Sequence, residues 1–197
     1  MNKLNNLSGE ITRLLDESTL IIKDIATQQI DDIARLVEII VTAYRNGGKI
    51  VLFGNGGSAA DAQHIACELV GRLKLERQAL PALALNTNTS LLTAIANDYG
   101  YNAVFSRQVE ALVTRKDVVI GISTSGNSPN IVKAIKAAKL KGAKTVGLTG
   151  RSGGRLAKTA DLILKVPSDS TPRIQEMHIT IGHIVCEMVE MELASGA

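Results

Sequence analysis

Apolar residues recur at three- and four-residue spacing from Leu4 to Ala26, with Leu15, Ile21, Ile22 and Ile25 on one stripe. They do so again from Ile30 to Arg45, through Ile33, Leu36, Ile39, Ile40 and Ala43. This period predicts two amphipathic helices, the second stopped by Gly47 and Gly48. The period then changes. Short, nearly unbroken apolar runs follow at Ile50–Phe53, Pro81–Asn86, Asp117–Ile122, Lys144–Leu148 and Leu162–Val166, each of strand length and bounded by turn residues. Helical spacing returns between them: a helix opening at Ser58–Asp61, then Thr89–Asn97, Phe105–Val113, Asn130–Lys141, a short turn at Gly154–Lys158, and a long C-terminal helix over Arg173–Leu193. Five apolar strands alternating with helices predict an α/β fold with a parallel sheet covered on both faces. The two leading helices stand outside that alternation, so their apolar stripes need a partner surface, and an oligomer interface is a natural one.

A chain of 197 residues suits one sizeable α/β domain. We expect a single domain over residues 1–197, with residues 1–47 as oligomerisation helices and residues 48–197 as the core and C-terminal helix. Of the residues, 45% are hydrophobic and 21% charged, an ordinary globular balance. No apolar run approaches the length of a membrane span, and the N-terminal stretch has no signal-type cleavage site, which predicts a cytoplasmic protein. With a net charge of +3, dispersed basic residues and 3% aromatics, a nucleic-acid platform is poorly supported, while anionic small molecules stay plausible partners. Cys67 and Cys186 are too few for a disulfide scaffold, and each is expected to pack as a small buried hydrophobe.

Candidate chemistry gathers in two strand, loop, helix units. In the first, Gly54, Asn55, Gly56 and Gly57 break the opening strand before a helix, leaving backbone N–H groups where the helix dipole favours an anion such as phosphate. In the second, Ser123, Thr124, Ser125, Gly126, Asn127 and Ser128 precede Pro129 at a helix start. Either loop alone is also what a tight turn or a locally capped polar loop looks like. A dinucleotide fingerprint is a weak reading of the first, because Ala59 stands where a third glycine belongs. Neither loop carries the lysine of a P-loop, so a phosphorylated metabolite suits them better than a nucleoside triphosphate. Ligands of parallel sheets bind beyond the C-terminal strand ends, where both loops fall, so the two should converge on one pocket.

His64 and Glu68, four apart on the first loop's helix, share a face and could hold a metal or move a proton, although such a pair is also common on solvated helices. Gln175 and His183, with His178 between them, stand on the C-terminal helix. Eight helical residues rise about 12 Å, so Gln175 and His183 share one ion only if Gln175 lies at a frayed helix start with both extended, or if different subunits supply them. Asn97 and Asp98 end a helix and could hold sugar hydroxyls. Arg173 could meet a phosphate or Glu176. Met177, Met188 and Met191 fit core or interface packing.

The stretches GNGGSAADAQHIACE, AIANDYG, GISTSGNSPNIVKAI and RIQEMHITIGHIVCEM, in this order, resemble the sugar isomerase (SIS) domain family, and within it closely resemble the bacterial phosphoheptose isomerases. The likeness covers nearly the whole chain, leading helices included. It implies a three-layer α/β/α sandwich with a five-stranded parallel sheet, flavodoxin-like, and extra N-terminal helices. It also implies a cytoplasmic homotetramer with sites near subunit interfaces, interacting with neither nucleic acid nor membrane. The activity implied is an isomerase that converts sedoheptulose 7-phosphate to D-glycero-D-manno-heptose 7-phosphate, first step towards the heptoses of lipopolysaccharide and related surface glycans. By the same resemblance His64, Glu68, Gln175 and His183 bind zinc, one ion per subunit, and Glu68 and His183 do the acid–base work. Asn55, Gly56, Gly57, Asn97, Asp98, Ser123, Thr124, Ser125 and Ser128 contact the sugar phosphate, and we add Ser58, Glu68 and Gln175 to that set. A related protein that associates with the replication initiator lacks the glutamate, so Glu68 favours the enzyme over a non-catalytic SIS protein binding sugar phosphate or that initiator. A nucleotide-binding oxidoreductase is a third reading, for which the loops are poorly built.

Overall fold

The computed structural model describes residues 3–194, with side chains from residue 6 onward. The termini of the expected 1–197 domain, residues 1–2 and 195–197, lie outside the described residues.

Five parallel strands, β1 (Ile50–Gly54), β2 (Ala82–Ala84), β3 (Val118–Ile122), β4 (Lys144–Thr149) and β5 (Leu162–Lys165), stand in the order β2-β1-β3-β4-β5. That is the doubly wound, flavodoxin-like order. Their apolar runs arise because both faces are covered, and side chains alternate between two cores. Ile50, Leu52, Val118, Ile120, Ile122, Val146 and Leu148 point to one face, whereas Val51, Phe53 and Val119 point to the other. Edge strand β2 pairs only through Ala82, Leu83 and Ala84, half the length its apolar run suggested.

On the first face lie α1 (Lys3–Gln28), α2 (Ile30–Arg45), α3 (Gly57–Val70) and α7 (Thr171–Ala194). The opposite face is covered by α4 (Thr89–Tyr99), α5 (Ser106–Leu112) and α6 (Pro129–Leu140). α2 is no appendage, since Leu36, Val37, Ile40 and Val41 are buried in the same core as the strands. α1 differs: Leu7, Ile11, Leu15, Leu20 and Ile22 remain exposed along it. A groove of about 760 Å³ between α1, α2 and α7 continues this apolar surface through Ile30, Ile33, Ile184 and Met188. It contains none of the expected site residues.

One expectation about a single residue, and the extent of one turn, need correction. Cys67 is exposed, because the buried stripe of α3 runs through Ala62, Ile65, Ala66 and Leu69 and misses position 67. Cys186 is buried as expected, and burial, with Glu68 and Glu190 nearby, pushes its thiol up to about 12. The short turn near Gly154–Lys158 is a 3₁₀ turn confined to Leu156–Lys158.

Candidate functional site

β1 and β3 are neighbours, yet α3 leaves towards one face and α6 towards the other. Their loops therefore stand side by side at the C-terminal edge of the sheet, the place where ligands of such sheets bind. Asn55 and the buried Asn130 exchange two amide hydrogen bonds, at 3.1 and 2.9 Å, so the loops meet directly. Tyr101 adds a hydroxyl hydrogen bond to Asn55 Oδ1 at 3.2 Å. Asn86 clasps the base of the first loop, donating to the Gly54 carbonyl at 2.7 Å. Asn86, Tyr101 and Asn130 were not among the expected site residues. Their amide and phenol groups gave no local pattern to mark them, beyond the position of Asn130 directly after Pro129.

α3 begins at Gly57 behind Gly56, whose φ of 56° lies in the left-handed region, and α3 has no side-chain cap. The first turn, with Ser58 buried beneath it, lies at the positive end of the helix dipole, and its Ser58 and Ala59 amides donate back to the carbonyls of Asn55 and Gly56 at 3.1 and 3.0 Å. α6 likewise lacks a side-chain cap hydrogen bond, because Ser128 Oγ pairs with Ser123 Oγ at 3.0 Å. The second loop is braced from outside. Thr124 accepts from the Gly150 amide at 2.9 Å, Gly126 accepts from Leu156 at 2.9 Å, and Asn127 Oδ1 accepts from Arg155 N at 3.0 Å. Ser125 Oγ accepts from Asn127 N at 3.1 Å. Asn97 and Asp98 are exposed at the end of α4 and hydrogen-bond each other at 2.8 Å. Tyr101, three residues beyond Asp98, is what links this segment to Asn55 of the first loop.

α3 and α7 run side by side in the same direction. At their middle, His64 Nε2 lies 3.2 Å from Glu68 Oε1 and 2.8 Å from His183 Nε2. One donor atom from each residue lies within 4.8 Å of the others. Tetrahedral N and O ligands of a zinc-like ion, bonded at about 2.0–2.2 Å, sit about 3.3–3.5 Å apart, so this donor set suits a divalent metal once the two imidazoles separate by about half an ångström. One turn earlier on α3, Asp61 has a buried oxygen without a partner. Burial raises its carboxyl, and His64 offsets part of that.

Gln175 is set elsewhere. It lies in the second turn of α7 with its amide against Gly57, where an added Cβ would come within 2.4 Å of Nε2. Seven residues of α3, a rise of about 10 Å, separate Gly57 from His64. The structure thus brings together His64, Glu68 and His183 and leaves Gln175 at the loop end of the helix pair. His178 is fully buried, its Nε2 donating to the Thr149 carbonyl at 3.2 Å, and takes no part in the cluster. Arg173 pairs with Glu176 at 2.6 Å and reaches the Leu14 carbonyl of α1 at 2.8 Å, which ties α1 to α7.

Residues 14–150 match the SIS domain family. The chain is 54% identical over 187 residues to the phosphoheptose isomerase of Aliarcobacter butzleri strain RM4018, covering 95% of this chain and 98% of that one. It is 61% identical over 157 residues to the phosphoheptose isomerase of Geobacter sp. strain M21, covering 80% and 82%. Among solved structures, a phosphoheptose isomerase from Francisella tularensis superposes with a TM-score of 0.91 at 35% identity, over 97% of this chain and 100% of that one. The phosphoheptose isomerase of Neisseria gonorrhoeae gives a TM-score of 0.89 at 42% identity, over 94% and 99%.

Proposed function

The chain belongs to the SIS domain family and, within it, to the phosphoheptose isomerases, and from that premise we propose that it interconverts sedoheptulose 7-phosphate and D-glycero-D-manno-heptose 7-phosphate. The observation that carries this reading is the convergence of His64, Glu68 and His183 on one point. Moving the carbonyl from C2 to C1 requires a proton to leave C1, an enediol to form, and a proton to return at C2 while the hydroxyl proton passes from O1 to O2. Glu68 and His183 divide this acid–base work. The amides of Gly56 and Gly57 and the hydroxyls of Ser58, Ser123, Thr124, Ser125 and Ser128 hold the phosphate, while Asn55, Asn97, Asp98 and Gln175 contact the sugar. Anchoring the phosphate suppresses small misplacements at C1 and C2.

His64, Glu68 and His183 are the ligands of the proposed zinc. When bound, zinc supplies Lewis acidity towards the sugar oxygens. Gln175 joins them only from a neighbouring subunit, since about 10 Å of helix separates it from the cluster of its own chain. The first loop stands at about that distance from the cluster, comparable to the reach of an extended seven-carbon sugar from C1 to its 7-phosphate. Exposed Leu7, Ile11, Leu15 and Leu20 on α1, and the groove beside α2 and α7, supply apolar surface for the homotetramer we propose. No helix among the described residues is long and apolar enough to cross a membrane, and we place the protein in the cytoplasm, feeding the synthesis of lipopolysaccharide or other surface heptose glycans.

Incubation of the pure protein with sedoheptulose 7-phosphate, with and without a chelator, tests the proposal. We expect turnover that the chelator abolishes and added zinc restores. Binding without turnover would favour the non-catalytic alternative.

A further inference from the structure

α3 ends two residues after Glu68, so the Glu68 carbonyl is one of the last four in the helix and has no partner within it. Arg77 Nη2 donates to that carbonyl at 2.9 Å. The same guanidinium donates through Nη1 to the Gln78 carbonyl at 3.0 Å and through Nε to Glu190 Oε1 at 3.0 Å. Its positive charge lies at the negative end of the α3 dipole. Glu190 is 1% exposed, seven residues beyond His183 on α7. Its carboxylate also accepts from the amides of Leu73, Lys74 and Leu75, at 2.8, 2.9 and 3.2 Å. Burial raises the Glu190 carboxyl, but these three amides and Arg77 outweigh it and hold it below the usual carboxylate range.

We infer that Arg77 and Glu190 are positioning residues for the isomerisation: they tie the backbone of Glu68 to the helix that carries His183 and so set where the Glu68 carboxylate stands relative to His183. The inference rests on the acid–base roles proposed above. A loose arginine on a surface loop needs no buried carboxylate, and a carboxylate that only capped residues 73–75 needs no guanidinium reaching back to residue 68. Together the contacts fix how far one helix can slide along the other, below a cluster whose atoms meet at 2.8 and 3.2 Å.

Arg77→Lys keeps the charge beside Glu190 but puts one ammonium where a fork of five N–H donors stood, so it cannot hold Glu190 and the Glu68 carbonyl together. We expect kcat to fall at least about tenfold with KM within about twofold of wild type. We also expect the imidazole ¹⁵N resonances of His64 and His183, observed in the metal-free protein, to move. Glu190→Gln should show the same split and decides the matter if Arg77→Lys does not fold. Lys49→Ala, which breaks the 2.7 Å pair with Asp117 at the far end of β1, is the control for lost stability and should leave kcat unchanged. Variants with wild-type kcat, or with kcat reduced no more than in the control and unmoved imidazole resonances, would overturn the inference. A wild-type protein without turnover would overturn the isomerase reading instead, while the resonances still report whether Arg77 positions the cluster.

Discussion

Gly126→Ala tests the proposed phosphate grip at a point that touches neither Glu68 nor His183. Gly126 has a φ of 66°, where a Cβ costs about 1–2 kcal/mol. The added methyl would also lie 2.2 Å from the Gly153 carbonyl oxygen and 2.9 Å from the Gly154 amide nitrogen. Both are backbone atoms that no side-chain rotation moves aside, and Gly153 and Gly154 have left-handed φ values of their own, 68° and 53°. The serine loop must therefore shift by a sizeable fraction of an ångström. Losing one hydrogen bond to a charged phosphate costs about 1.5–3 kcal/mol, which is about a tenfold to hundredfold loss of affinity. Calorimetric titration with sedoheptulose 7-phosphate, supported by circular dichroism to show that the variant is folded, measures it. A folded variant that binds within about twofold of wild type would refute the assignment of the phosphate to this loop.

Two further outcomes are expected. Burial lowers the His178 imidazole to about 4, against about 6.5 when unfolded, so the unfolded chain takes up the proton first. Its contribution is fully present above about pH 6.5 and is lost as pH falls towards 4, about 3 kcal/mol in all; urea melts across that range should show a slope that His178→Gln flattens. Gly182→Ala places a Cβ 2.8 Å from Ile65 Cδ1 where α3 and α7 touch, and we expect about 1–3 kcal/mol of lost stability in melts together with weaker metal binding by calorimetry.

The strands were legible because a parallel sheet buries both faces, which turns Ile50–Phe53 and Val118–Ile122 into plain apolar runs. The α3 start and the Pro129 helix start were legible from glycine and proline chemistry. That the two loops would face each other followed from the rule for parallel sheets, and the Asn55–Asn130 pair bears it out. The order β2-β1-β3-β4-β5 is not carried by any run of residues, and entered only with the family resemblance. His64 and Glu68 were visible as a helical pair, but their meeting with His183 depends on how α3 and α7 pack. That packing follows from Gly182 seating against Ile65, a contact 117 positions apart in the chain. Arg77 was invisible for a related reason. GRLKLERQ reads as a solvated charged loop, and it is Glu190, arriving from α7, that draws in Arg77 while Arg72 stays exposed.

The central claim is that Glu68 and His183 move the proton. Glu68→Gln keeps the shape and removes the base, so the variant should fold and bind sedoheptulose 7-phosphate as wild type does. Its rate of heptose 7-phosphate formation should fall at least about a hundredfold. A folded Glu68→Gln protein that isomerises the sugar at close to the wild-type rate would contradict the claim.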